Sequence, residues 1–293
     1  MKHLMTTLSG LALAGAMTTA GAAEITVGGK NYTEQLILSN MTELYLDALG
    51  HDVTRRDGMG SAVLRQAQEN GQIDLYWEYT GTSLMVYNDI SESLSREATY
   101  ERVKKLDGEK GLVWLKPSDA NNTYALAMRE DDAEQRGIET IDDLASAVND
   151  DSMLTFGIDT EFYSRDDGWR PLQKAYDFNV PRSEIVRMDT GLMYSALRDG
   201  DVDVADVFST DGRVPAFDLR ILEDNRSFFP AYALTPVVRE ETLETTPELA
   251  EQMNDLSALL DDATMASLNA RVDVERETIE DVAESFLEEN ELL

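Results

Sequence analysis

The chain has 293 residues, enough for two domains of ordinary size, and its 57 acidic residues against 25 basic ones give a net charge of −32. That balance argues against nucleic acid as a partner, because binding it takes clustered Lys and Arg. With no cysteine and two histidines, Cys-His nucleophilic pairs and clustered imidazole zinc sites are excluded, and no metal or cofactor is expected.

Lys2 and His3 precede an apolar run over residues 8–17 and small residues ending Ala20-Gly21-Ala22-Ala23, the order of a secretory signal peptide. The expected mature chain begins at Ala23 or Glu24. It has no cysteine for a lipid anchor, so a free periplasmic protein is predicted. The acidity suits a salty exterior, since at about 1 M salt the screening length falls to roughly 3 Å and self-repulsion largely disappears.

A strand is predicted over residues 25–27, running through Gly28-Gly29 into a helix from Asn31, with Asn31 and Glu34 at capping-box spacing and Gly50 as the stop. A second strand centred on Val53, a helix over 61–70 closed by Gly71, and a strand over 73–77 complete β-α-β-α-β, which implies a parallel sheet covered by helices. Gly28-Gly29-Lys30 lacks the spacer and the Ser or Thr of a phosphate loop and is set aside. His51, beside a strand start, reads as a surface residue.

The pattern then repeats. Ile25-Thr26-Val27-Gly28 returns 129 positions on as Leu154-Thr155-Phe156-Gly157, and Ser61, Gly71, Asp74 and Tyr79 return as Thr190, Gly200, Asp203 and Phe208. The matches are of residue type more than identity, and they fall at the ends of the same predicted elements. Strands over 124–129 and 233–239 read as the two crossings between lobes, a hinge. Helices are expected beyond Pro247, with Thr278 as a cap, packing back on the first lobe. The expected division is 24–123 plus 234–293 for lobe 1 and 124–233 for lobe 2.

In open α/β lobes ligands sit beyond the carboxyl ends of the strands. The candidate stretches are residues 28–35, 58–61 and 78–82 in the first lobe, and 157–161, 189–190 and 208–211 in the second. They place no obvious extra Asp in the ligand site itself. Tyr79 should project into the cleft opposite Phe208. Tyr124 and Tyr232, beside the crossings, and Trp77 and Trp169 have weaker claims. With no cysteine and a single histidine in the mature chain an enzyme is not expected, although carboxylates this abundant do not exclude a glycosidase-type pair.

The runs GGKNYTEQLIL from residue 28, GQIDLYWEYTGT from 71, NNTYALAMR from 121, DVFSTDGRVPAFDL from 206 and LEDNRSFFPAY from 222 closely resemble the substrate-binding proteins of ABC importers for glycine betaine, choline and related osmoprotectants. The likeness covers nearly the whole mature chain. It implies a two-lobed periplasmic-binding fold of type II, α/β, each lobe a mainly parallel sheet flanked by helices and joined by two hinge strands. It further implies an aromatic cage of Tyr79, Tyr124, Phe208 and Tyr232 for a quaternary ammonium group, with Gln35, Ser61 and Thr82 meeting the ligand carboxylate. Members of the family have tyrosine where this chain has Phe208, so the ring face is kept and the hydroxyl lost. Trp77 stands where many relatives have proline. The implied partners are a small quaternary ammonium ligand, glycine betaine above all, and an inner-membrane permease that receives it from a monomeric binding protein. Choline, carnitine, ectoine, proline betaine or an amino acid as ligand, and a sensory role, stay open on the same architecture.

Overall fold

A computed structural model describes residues 24–293 apart from 93, 151, 166 and 167. The signal peptide expected over residues 1–23 lies outside the described residues.

The first five elements follow the order read from the sequence: β1 (Glu24–Lys30), α1 (Thr33–Ala48), β2 (Asp52–Met59), α2 (Ser61–Glu69) and β3 (Leu75–Tyr79). The later strands are β4 (Leu112–Trp114), β5 (Tyr124–Arg129), β6 (Phe156–Asp159), β7 (Ile185–Met188), β8 (Val204–Phe208), β9 (Leu219–Ile221) and β10 (Leu234–Arg239). They form two five-stranded sheets of orders β2-β1-β3-β10-β4 and β7-β6-β8-β5-β9. Every residue of β3 is buried, as a strand covered on both faces requires, whereas edge strand β2 alternates between exposed and half-buried residues.

The internal repeat survives as geometry. In the first sheet Thr26 N donates to Asp74 Oδ2 at 2.8 Å, and in the second Thr155 N donates to Asp203 Oδ2 at 2.8 Å. Each aspartate also faces the arginine that ends the antiparallel strand of its sheet, Arg239 at 3.3 Å from Asp74 and Arg129 at 3.7 Å from Asp203. In both lobes three parallel strands are followed by one antiparallel strand, β10 beside β3 and β5 beside β8. The strands expected as hinge crossings are instead members of the sheets, β5 of the second and β10 of the first, held there by pairing on both edges; the chain crosses between β4 and β5 and returns between β9 and β10. The two crossings touch through an antiparallel bridge between Asn121 and Ala233.

Two local expectations are corrected. The strand placed at 73–77 runs Leu75–Tyr79, because the Asp74 carboxylate holds the Thr26 backbone and leaves Ile73-Asp74 as connector. The capping box at Asn31 and Glu34 does not form: α1 starts after Tyr32 with no side-chain cap, and Glu34 turns its carboxylate into the interior. Beyond Pro247 the chain is helical over Leu249–Ser257, Asp262–Asp273 and Ile279–Glu289; the last two helices pack on α1, and Thr278 Oγ1 accepts from Asp281 N at 3.1 Å. Trp77 packs under α1, its Nε1 donating to Thr42 Oγ1 at 2.9 Å, and Trp169 is core between Phe156 and Phe178. His51 is half-buried and bonded to Gln252 at 3.0 Å. No helix among the described residues is long and apolar enough to cross a membrane.

Candidate functional site

The carboxyl ends of β1, β3, β6 and β8 point into one cleft between the sheets, and the pocket there is lined by residues from both lobes. From the first lobe come Lys30 and Tyr79, the last residues of their strands, with Asn31, Tyr32, Ser61 and Thr82. From the second come Asp159, Glu161, Arg165, Thr190 and Phe208, and from the crossings Asn122, Tyr124 and Tyr232.

Five rings form a continuous arc. Tyr79 stacks on Tyr32 at 6.5 Å between centroids, and Tyr32 stacks across the cleft on Phe208 at 5.5 Å and 15°. Phe208 meets Tyr124 at 4.9 Å, a contact set by their pairing across β5 and β8, and Tyr124 meets Tyr232 edge-on at 5.9 Å. Gly81 makes room for the last ring: a Cβ there would fall 2.7 Å from the Tyr232 ring and 2.9 Å from the Ala231 carbonyl oxygen. Burial raises Tyr32, Tyr79 and Tyr124 well above the ordinary phenol range, so these rings stay neutral.

Two cations sit against this arc. Lys30 Nζ lies 5.0 Å from the Tyr79 ring centroid and is paired with Glu78 Oε1 at 2.6 Å. Glu78 is fully buried and also accepts from Tyr76, Tyr87 and the Tyr79 backbone. On the other lobe the Arg165 guanidinium lies 5.2 Å over Tyr124 and reaches Glu161 at 3.4 Å. Asp159, also in the pocket, is occupied: Oδ1 accepts the backbone N–H groups of Glu161 and Phe162 at 2.9 and 3.0 Å, capping the helix Thr160–Ser164, and Oδ2 accepts from Thr190 at 2.8 Å. Buried Asn122 Oδ1 has no hydrogen-bond partner among the described residues.

Six of the seven residues singled out from the sequence, Tyr79, Tyr124, Phe208, Tyr232, Ser61 and Thr82, line this pocket together. Gln35 does not. Its amide donates to the Trp77 carbonyl at 2.9 Å and to Tyr79 Oη at 3.1 Å, which places it behind Tyr79 as a support. The expectation of no obvious extra aspartate in the cage itself meets Asp159, which lines the pocket with both carboxylate oxygens engaged. Tyr32, Lys30 and Asp159 fall inside the candidate stretches but were not singled out, and the strand-end rule could have found the last two. Arg165 lies outside every stretch, one residue past a five-residue helix whose extent no periodicity reveals.

Residues 23–289 match the family model described as the substrate binding domain of an ABC-type glycine betaine transport system. A glycine-betaine-binding protein of Pseudomonas aeruginosa is 46% identical over 280 residues, covering 94% of this chain and 90% of that protein. An ergothioneine transport permease/ergothioneine binding protein of Helicobacter pylori is 34% identical over 267 residues, 90% of this chain and 47% of that longer protein. Among solved structures, a glycine betaine/carnitine/choline ABC transporter protein superposes with a TM-score of 0.75 at 28% identity, over 92% of this chain and 99% of the other.

Proposed function

The chain belongs to the family of substrate binding domains of ABC-type glycine betaine transport systems, and from that premise we propose that it captures a quaternary ammonium zwitterion, glycine betaine or a close analogue, and hands it to a membrane permease. The observation that carries this reading is five aromatic rings and two cations converging on one pocket between the lobes.

A trimethylammonium group has charge but no N–H donor, so a hydrogen-bonding site gains nothing from it while aromatic faces receive both its charge and its methyl groups. Asn122 Oδ1, without a hydrogen-bond partner among the described residues, adds a negative atom for the methyl rim. Each cation–π contact contributes about 0.5–2 kcal/mol, whereas micromolar binding needs about 8 kcal/mol net of the cost of immobilising the ligand. The rings alone fall short. The carboxylate supplies the rest, at about 1.5–3 kcal/mol for each hydrogen bond to a charged group, and the N–H donors for it are Lys30 and Arg165, assisted by Ser61 and Thr82. Lys30 and Arg165 already cover one face each of Tyr79 and Tyr124, so the methyl end belongs to the Tyr32, Phe208 and Tyr232 side. Choline offers the donor end only a neutral hydroxyl where a betaine offers a carboxylate, so it gains less there, and both oxygens of Asp159 are already engaged.

The protein acts as a monomeric periplasmic carrier, not as an enzyme. Contacts from both lobes are complete only when the cleft is shut, so ligand shifts the population toward the closed form that the permease receives. Calorimetric titration in about 1 M salt with glycine betaine, proline betaine, carnitine, choline and ectoine tests the assignment. Micromolar affinity for the betaines and weaker binding of choline are expected. Ectoine or choline binding more tightly than every betaine, or no binding at all, overturns it.

A further inference from the structure

Glu34, in the first turn of α1, is 3% exposed, and its carboxylate accepts four hydrogen bonds, all from neutral groups. Oε1 takes Tyr79 Oη at 2.7 Å and Asn122 Nδ2 at 2.8 Å; Oε2 takes Thr210 Oγ1 at 2.6 Å and Asn269 Nδ2 at 3.0 Å. The donors come from four places: the end of β3, the crossing before β5, the second lobe just after β8, and the helix Asp262–Asp273. Thr210 is gripped from both sides, since Asn269 Nδ2 also donates to its carbonyl oxygen at 3.0 Å.

The chain after Thr210 continues this seam. Gly212 lies so near the helix Asp262–Asp273 that a Cβ on it would fall 2.4 Å from Ala270 Cβ and 2.6 Å from the Ala266 carbonyl oxygen. Arg213 reaches Asp273 at 3.2 Å. The seam stands beside the aromatic arc and does not contribute Glu34 or Thr210 to the lining of the pocket.

We infer that Glu34 is a positioning residue that couples closure of the lobes to the shape of the cage, with Thr210 as the donor that the second lobe brings. A buried carboxylate is costly unless its oxygens are hydrogen-bonded. Three of its donors stay with the first lobe or the crossing; the fourth arrives only when the lobes meet. The oxygen opposite the Thr210 contact holds Tyr79 and Asn122, both of which face the pocket, so the completed set fixes the ring and the amide at the moment the cleft shuts. Burial pushes the Glu34 carboxyl above its ordinary range while the four donors oppose that rise, in keeping with a charge that depends on every one of them.

The test compares wild type with Thr210→Val, Thr210→Ser and Glu34→Gln by stopped-flow binding of glycine betaine and of choline. The chain has no cysteine, so a spin-label pair at Gln66→Cys and Asp199→Cys reports interlobe distance without background. Thr210→Val is expected to weaken both ligands by the same factor, about tenfold, mainly through faster release, and to lengthen the label distance with an unchanged melting temperature in the unliganded state. Thr210→Ser, which keeps the donor, restores wild-type behaviour, and Glu34→Gln loses at least as much as Thr210→Val. Affinity and distances unchanged within twofold in Thr210→Val overturn the inference. So does a changed betaine-to-choline ratio with unchanged distances, which makes Thr210 a ligand contact instead. The inference rests on the ligand reading only for its probes: a wild type that takes up neither compound refutes that reading, while the label distances of the unliganded proteins still decide the role of Glu34 and Thr210.

Discussion

In the first lobe β1 ends on Lys30, which is paired with buried Glu78; at the equivalent position of the second lobe, 129 residues on, β6 ends on Asp159, which caps its own following helix. Around these ends the frames agree down to the aspartate that ties the first strand to the third, Asp74 and Asp203. Two further buried acids, one in each lobe, also differ. Asp107 in the first lobe is gripped by Arg65 through two hydrogen bonds of 2.8 and 2.7 Å, with Ser83, Asn88 and Trp114 adding more. Asp206 in the second lobe accepts from the Asp159 backbone at 2.7 Å, while its Oδ2 has no hydrogen-bond partner among the described residues. The comparison teaches that the same carboxylate-to-backbone hydrogen bond holds each copy of the repeat, while the residues at the strand tips are free to take opposite charges and different structural tasks.

The largest effect that would break this comparison is on stability. Lys30→Met leaves Glu78 buried without its cation, and a loss of about 3 kcal/mol is expected, read as a lower urea midpoint without ligand; the three remaining donors to Glu78 keep the loss from being larger. An unchanged midpoint would mean that the charge at the first strand tip is no more built in than the one at the second.

Next comes the ring on the second lobe. Phe208→Ala opens the arc between Tyr32 and Tyr124, and betaine binding about a hundredfold weaker is expected, with the unliganded melting curve nearly unchanged. Phe208→Tyr, in contrast, should stay within a few-fold of wild type, because the ring face remains.

Acid titration separates the two buried aspartates. Burial pushes Asp107 up, but the Arg65 guanidinium with Ser83 and Asn88 overrides it and brings the group down from 3.8 to about 2. A carboxyl lowered in the fold stabilises it above the ordinary carboxylate range, and that contribution, about 2 kcal/mol, is lost as pH falls through 4 toward 2. Asp107→Asn should be less stable at neutral pH and flatter across that acid window.

The smallest effect has the opposite sign. Burial, and then the neighbouring Asp159, raises Asp206 well above its ordinary value, so the folded state favours its protonated form. Asp206→Asn should therefore be more stable at neutral pH, by no more than about 1 kcal/mol and read as a higher melting temperature, and the gain should vanish in acid where the wild-type group is already protonated. A variant less stable at neutral pH would show that the ionised form is matched by the lobe after all.

Much of this was legible in the chain. Apolar runs and their stops gave the two βαβαβ units, because strand and helix periods depend on residues close in sequence; the strands over 124–129 and 234–239 were legible too, but as sheet members and not as the crossings. Tyr79, Phe208, Tyr124 and Tyr232 come together at the pocket because each lies at or near a strand end. Gln35 was misassigned for a reason of direction: its place on α1 is near the cleft, but its amide is drawn toward the Trp77 carbonyl and Tyr79 behind the wall. Tyr32 was not singled out, and only the approach of Phe208 from the other lobe makes it a member of the arc.

The sequence by itself determined the repeated frame, the strand ends that face the cleft and the family to which the chain belongs, since all of these are carried by local pattern and ordered motifs. The tertiary structure alone decided which charges meet: that Lys30 lies against Tyr79, that Arg165 covers Tyr124, and that Glu34 gathers donors from both lobes. In a chain with 57 acidic residues, no pattern distinguishes a carboxylate that will be buried and fully bonded from one that faces solvent, because that difference lies in partners far away along the chain, brought near only by folding.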